Sequence, residues 1–143
     1  MSELIYKKQY PQKTADAVTK NYFRSIKLSK SKSDEVTLDE LLESLDNIPL
    51  HERQEGAKRF IRRAVRMAGL YEISVEIRAT DNLVSAKFGL GVGGNVRWIK
   101  RMMRFTDDIH IFADPEYDEV YLIMEYYTHA LSYNSKQIMP PSR

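Results

Sequence analysis

The chain of 143 residues contains no cysteine. Disulfides, thiolate metal sites and cysteine nucleophiles are thereby excluded, and the composition fits a reducing compartment. Histidine is scarce: His51, His110 and His129 are the only three, and none has a nucleophile motif beside it. Neither His-Glu-x-x-His nor Gly-x-Ser-x-Gly occurs. Long apolar runs are also missing. No stretch approaches the length needed to span a bilayer, and Met1 to Pro11 alternates charge and tyrosine where a leader would carry an apolar core. These absences predict a cytoplasmic protein with no membrane association, no cofactor, no metal and no catalytic residues. An active site assembled in space leaves no motif, so an enzyme stays open as the weaker alternative.

What is present suffices for one domain. Hydrophobic residues make up 43% of the chain, enough for a core at this length without staples. The net charge of +2 conceals strong segregation. Residues 1–33 hold eight Lys/Arg against two Asp/Glu, and residues 34–57 hold one against eight. Residues 58–104 hold eleven against three, and residues 105–143 two against seven. Such blocks either neutralise one another on folding or place basic and acidic surfaces on different faces.

The organisation predicted is a basic N-terminal arm over 1–33, partly helical and ending in a Ser/Lys loop, then one α+β domain over 34–139 and a tail at 140–143. In the arm, Thr14 caps a helix along which Ala15, Val18, Tyr22 and Ile26 recur at helical spacing. The alternation Ser29-Lys30-Ser31-Lys32-Ser33 has nothing to bury and reads as a loop. Thr37 and Glu40 form a capping-box pair before the apolar stripe Leu38, Leu41, Leu42 and Leu45, and this helix ends near Asn47. Pro49 suits the first turn of the next helix, with Gly69 at its C-terminal stop. On that helix Ala57, Phe60, Ile61, Ala64, Val65 and Ala68 share one arc, opposite Arg59, Arg62, Arg63 and Arg66.

Tyr71, Ile73, Val75, Ile77 and Ala79 alternate with Glu72, Ser74, Glu76 and Arg78, the period of a half-buried strand. Asp81-Asn82 turns the chain, and Val84, Ala86 and Phe88 return it as a hairpin. A helix is expected from Val96 to Phe105. Ile109 to Phe112 reads as a strand. The segment 115–133 fits either a strand, favoured by its β-branched and aromatic content, or a helix capped by Asp114 with Pro115 at its first position. The fold class predicted is α+β, an antiparallel sheet built from two hairpins with helices packed on one face and a helical N-terminal part. Its expected core is Phe60, Ile61, Val65, Ile73, Val75, Ile77, Ile99, Met103, Leu122 and Met124.

Three features bear on function. Gly89-Leu90-Gly91-Val92-Gly93-Gly94 lies between a strand and a helix start, where free backbone N–H groups favour an anion. Gly91, Gly93 and Gly94 are therefore candidate phosphate contacts, although the spacing is that of neither a dinucleotide fingerprint nor a P-loop; a connector is the plainer reading. The second feature is paired basic faces: Arg59, Arg62, Arg63 and Arg66 on one helix, and Arg97, Lys100, Arg101 and Arg104 on another. Rows of cations on a helical face match what successive phosphates require, and arginine adds bidentate geometry; alone, each row is also an ordinary solvated face. Third, Asp114, Glu116, Asp118 and Glu119 have the alternation of a calcium loop but carry Glu119 where that loop needs glycine, so turn and edge roles are expected. Tyr121 and Tyr127 would share one strand face and Tyr126 the other, where tyrosine serves packing, interfaces or base stacking.

The function expected is that of a non-enzymatic binding protein that engages nucleic acid or a nucleotide-type phosphate ligand through the Arg-rich faces and the Gly-rich turn. The alternative is a small protein-binding inhibitor or adaptor, such as a phage or mobile-element antagonist of a host nucleic-acid-handling complex, with a protein partner and a homo-oligomer both possible.

Overall fold

The structure, a computed structural model, describes residues 3–10, 26, 28–29, 34–47, 53–89, 97–114 and 119–128. Among these residues five strands and three α-helices follow one another as β1 (Leu4–Lys8), α1 (Leu38–Ser44), α2 (Gln54–Tyr71), β2 (Val75–Ala79), β3 (Leu83–Gly89), α3 (Arg97–Met103), β4 (Asp108–Asp114) and β5 (Glu119–Tyr127). The strands form one antiparallel sheet in the order β1-β2-β3-β5-β4. Both predicted hairpins are present, β2 with β3 and β4 with β5. The strand reading of the last segment holds over Glu119–Tyr127.

Register sorts the side chains. Val75, Ile77 and Ala79 stand opposite Phe88, Ala86 and Val84, which in turn meet Leu122, Met124 and Tyr126. This face carries the core, and Leu41 and Leu45, Phe60, Ile61 and Ala64, and Trp98 and Met102 cover it from the helical side. Phe60 stacks on Tyr126 at 5.9 Å and Trp98 tilts against Phe88 at 4.9 Å. The capping box before α1 forms as its sequence requires: the Thr37 hydroxyl accepts from the Glu40 N–H at 3.1 Å, and the Glu40 carboxylate accepts from the Thr37 N–H at 2.8 Å.

Several expectations need correction. The N-terminal part is not simply a helical arm, since Leu4–Lys8 is a strand paired along its length with β2. On its other side the Ile5 N–H donates to the Asp34 carbonyl and its carbonyl accepts from Val36 N–H, at 3.0 and 2.8 Å. Strand β1 is thus held from both flanks and belongs to the sheet. Of the helix expected along Ala15, Val18, Tyr22 and Ile26, the first three lie outside the described residues, and Ile26 is buried without helical assignment. Pro49 also lies outside the described residues; α2 begins later, at Gln54, after Arg53. Gly69 does not stop α2, which continues to Tyr71 and ends on Glu72 in the left-handed region at φ 53°. The extra turn leaves the Ala68 carbonyl to accept from Glu72 and Ile73 N–H groups, so the carbonyls are satisfied without glycine.

The core assignment is also revised at three positions. Met103 is 53% exposed, while Val65 and Ile99 are only partly buried against the core. In two turns of α3, Trp98 and Met102 stand four apart and both point at the sheet; Met103 is one step further round the wheel. Strand β2 is not half-buried as its alternation implies. Ser74 is fully buried and Glu76 only 2% exposed. The N-terminal segment covers their side of the sheet: Ser29 N–H donates to Glu76 Oε1 at 2.7 Å, and Tyr10 N–H and Gln9 Nε2 each reach Ser74 Oγ at 2.9 Å.

Candidate nucleic-acid interface

The amphipathic pattern of α2 dictates how the site arises. Ala57, Phe60, Ile61 and Ala64 are fully buried, so the opposite arc, Arg59, Arg62, Arg63 and Arg66, must face away from the sheet. On α3, burial of Trp98 and Met102 turns Arg97, Lys100, Arg101 and Arg104 outward in the same manner. The two helices touch, and their basic faces meet. Arg63, Arg66, Arg97, Lys100, Arg101 and Arg104 line a single groove of about 890 Å³, whose remaining walls are Met67, Leu70 and Phe105. A smaller hollow of about 460 Å³ continues along α2 past Arg59 and Arg62 to Glu55, sharing Arg63 and Arg66.

Six cations thus converge with no carboxylate among the lining residues of the main groove. Arg62, Arg66, Lys100, Arg101 and Arg104 have no ion-pair partner among the described residues. Cations of one sign set within a Debye length of each other, about 8 Å at physiological salt, reinforce each other's field. Glu55 at the far end is directed to Lys58, 3.8 Å away. Arg63 is held in place by the Phe105 ring, with its guanidinium carbon 4.9 Å from the ring centroid.

All eight basic residues singled out in the sequence therefore border this one surface, Arg59 and Arg62 on its extension and the other six in the groove itself. Gly91, Gly93 and Gly94 lie outside the described residues. Missed by sequence reasoning were Leu70, which falls there between the expected helix stop at Gly69 and the strand pattern from Tyr71, and Phe105, which reads as a helix end. A leucine four residues after Arg66 was the only signal in the sequence, and the structure leaves it 65% exposed.

The opposite face of the sheet differs in chemistry. Tyr121 and Tyr127 lie on it, with Tyr126 on the core side, as alternation requires. Phe112 stacks on Tyr121 at 5.5 Å, and Lys87 stands 4.5 Å over the same Tyr121 ring. Asp108, His110 and Glu125 cluster nearby, with His110 Nε2 3.5 Å from Asp108 Oδ2 and 3.3 Å from Glu125 Oε1. Their donor atoms fall within 4.8 Å of one another, the one grouping among the described residues with the means to hold a metal ion. It equally satisfies an imidazole held between two carboxylates.

Arg53 has a structural role. It donates to the Tyr127 carbonyl at 2.8 Å and to Asp107 at 2.7 Å, and its guanidinium covers the Tyr126 ring at 4.3 Å. Burial raises the Tyr126 hydroxyl pKa above its ordinary value, against the lowering influence of Arg53 and Arg59.

Among the described residues no helix is long and apolar enough to cross a membrane. No protein-family model matches the chain, and no curated protein shows significant similarity to it.

Proposed function

We propose that this is a non-enzymatic nucleic-acid-binding protein and that the groove between α2 and α3 is its binding surface. The observation that carries the reading is the meeting of two basic helix faces on one groove whose lining contains six cations and no carboxylate. A single basic face is commonly solvated. Two that converge place like charges together at an electrostatic cost, and a polyanion removes that cost while releasing its own counterions.

The test is fluorescence anisotropy with labelled oligonucleotides across a salt series. Wild type should bind with an affinity that falls steeply as salt rises. Replacing Arg66, Arg101 and Arg104 together with alanine removes cations that hold no ion-pair partner among the described residues. The slope of log affinity against log salt should then shrink by roughly two, at about 0.7 per lost phosphate contact on a single strand. Absence of salt-dependent binding to any oligonucleotide would end the proposal.

A protein partner is the second reading, and a separate observation favours it. Ile111 and Val120, 66% and 44% exposed, share one face of the sheet near β4, where a binding surface for another chain would use such residues.

A further inference from the structure

The groove is not uniformly basic, and its apolar part identifies the form of nucleic acid it suits. Along the same cavity as the six cations lie Met67, Leu70 and Phe105. Leu70 is 65% exposed, with its apolar surface left in water in a groove lined mostly by cations. Arg63 lies over Phe105, which fixes a guanidinium plane against a ring.

A duplex offers such a groove little beyond phosphate. Its bases are stacked inside, so apolar walls would meet only sugar and charge. A single strand offers both chemistries, since unstacked bases seek apolar and planar surfaces while their phosphates seek cations. Guanidinium planes also stack on bases, which an ammonium cannot do. Resting on the function proposed above, we infer that the groove binds single-stranded nucleic acid, with bases against Leu70 and the Arg63–Phe105 pair and phosphates on Arg66, Lys100, Arg101 and Arg104. Neither stacking nor phosphate contact distinguishes ribose from deoxyribose, so DNA and RNA strands should both serve.

Competition and direct anisotropy with oligo-dT, oligo-U, a duplex of equal length and inorganic polyphosphate test this at one salt concentration and across a series. Wild type should hold both single strands about tenfold more tightly than the duplex or polyphosphate. Three variants then dissect the apolar part: Leu70→Ser alters an exposed position, Phe105→Leu keeps bulk but removes the ring, and Arg63→Lys keeps charge but removes the plane. Each should lower single-strand affinity several-fold to about tenfold, within what loss of one stacked base produces. Each should weaken single strands more than duplex and so narrow the preference between them, and melting curves confirm that each variant is folded.

Equal or tighter binding of duplex or polyphosphate would overturn the inference while leaving nucleic-acid binding in place. So would folded variants that weaken single strand and duplex alike. No salt-dependent binding to any probe would instead remove the underlying functional reading.

Discussion

Gly56 shows how closely α2 seats on the sheet. A Cβ built there would fall 1.8 Å from the Tyr126 hydroxyl and 2.7 Å from the ring carbon bearing it, so the missing side chain is filled by a tyrosine from β5. That ring is fixed on its other contacts by Phe60 and Arg53 and has no easy retreat. Gly56→Ala should therefore destabilise the protein by about 1–3 kcal/mol, despite alanine's better helix propensity. Chemical denaturation gives the value. In a Tyr126→Ala background the same glycine change should cost nothing or stabilise, so a double-mutant cycle identifies the clash as the cause. The reverse expectation, a general helix benefit, would give stabilisation in both backgrounds.

At the scale of elements, the β2–β3 hairpin and the face of α2 were legible because each depends on local periodicity. Val75 to Ala79 alternates, and Phe60, Ile61 and Ala64 follow helical spacing, so their buried sides could be read directly. Strand β1 was not legible. Leu4-Ile5-Tyr6-Lys7-Lys8 is short and charged, and its extended form depends on partners more than 25 residues away, Asp34 and Val36 on one flank and β2 on the other. The same nonlocality hid the burial of Glu76. Its carboxylate accepts from Ser29 N–H and from Arg78 Nε, both at 2.7 Å, and a period-two pattern cannot report what a distant segment lays over it. Glu76→Ala should cost about 1–3 kcal/mol, since the Ser29 N–H loses its acceptor, while Arg78, 36% exposed, keeps Glu3 as a partner. Glu55→Ala, at an exposed position in the first turn of α2, should stay close to wild type. Equal denaturation midpoints for the two variants would show that Glu76 is not held as described. For the site, each row of cations was visible in the sequence. Their meeting was not, because it depends on how α3 returns across the sheet after the β2–β3 hairpin and docks beside α2.

Across the whole molecule, two of the charge blocks contribute to opposite sides of the sheet, with Lys87 of the basic block the exception that stands on the far side. The block 58–104 supplies the groove over the helices, while Asp108 and Glu125 from the acidic block stand on the far side of the sheet. Neutrality overall is therefore compatible with a strong local field, and a strand approaching the groove does not meet the acidic cluster.

The two margins of the sheet differ as well. Strand β1 is closed on its outer side by residues 34–36, whereas β4 ends the strand order at the opposite margin and carries Ile111, 66% exposed. Among the described residues, the bridge at Ile5 obstructs the β1 margin, so growth of the sheet by addition of a further strand, from a partner or a second copy, is expected at β4. A molecule with a single sticky margin pairs and then stops; two such margins would make a fibre. Sedimentation at increasing protein concentration should accordingly find monomer passing to dimer without larger species. Ile111→Lys, which puts a charge on that margin, should hold the protein monomeric while leaving oligonucleotide binding at the α2–α3 groove unchanged. Open-ended assembly, or a dimer indifferent to Ile111→Lys, would show that self-association does not run through β4.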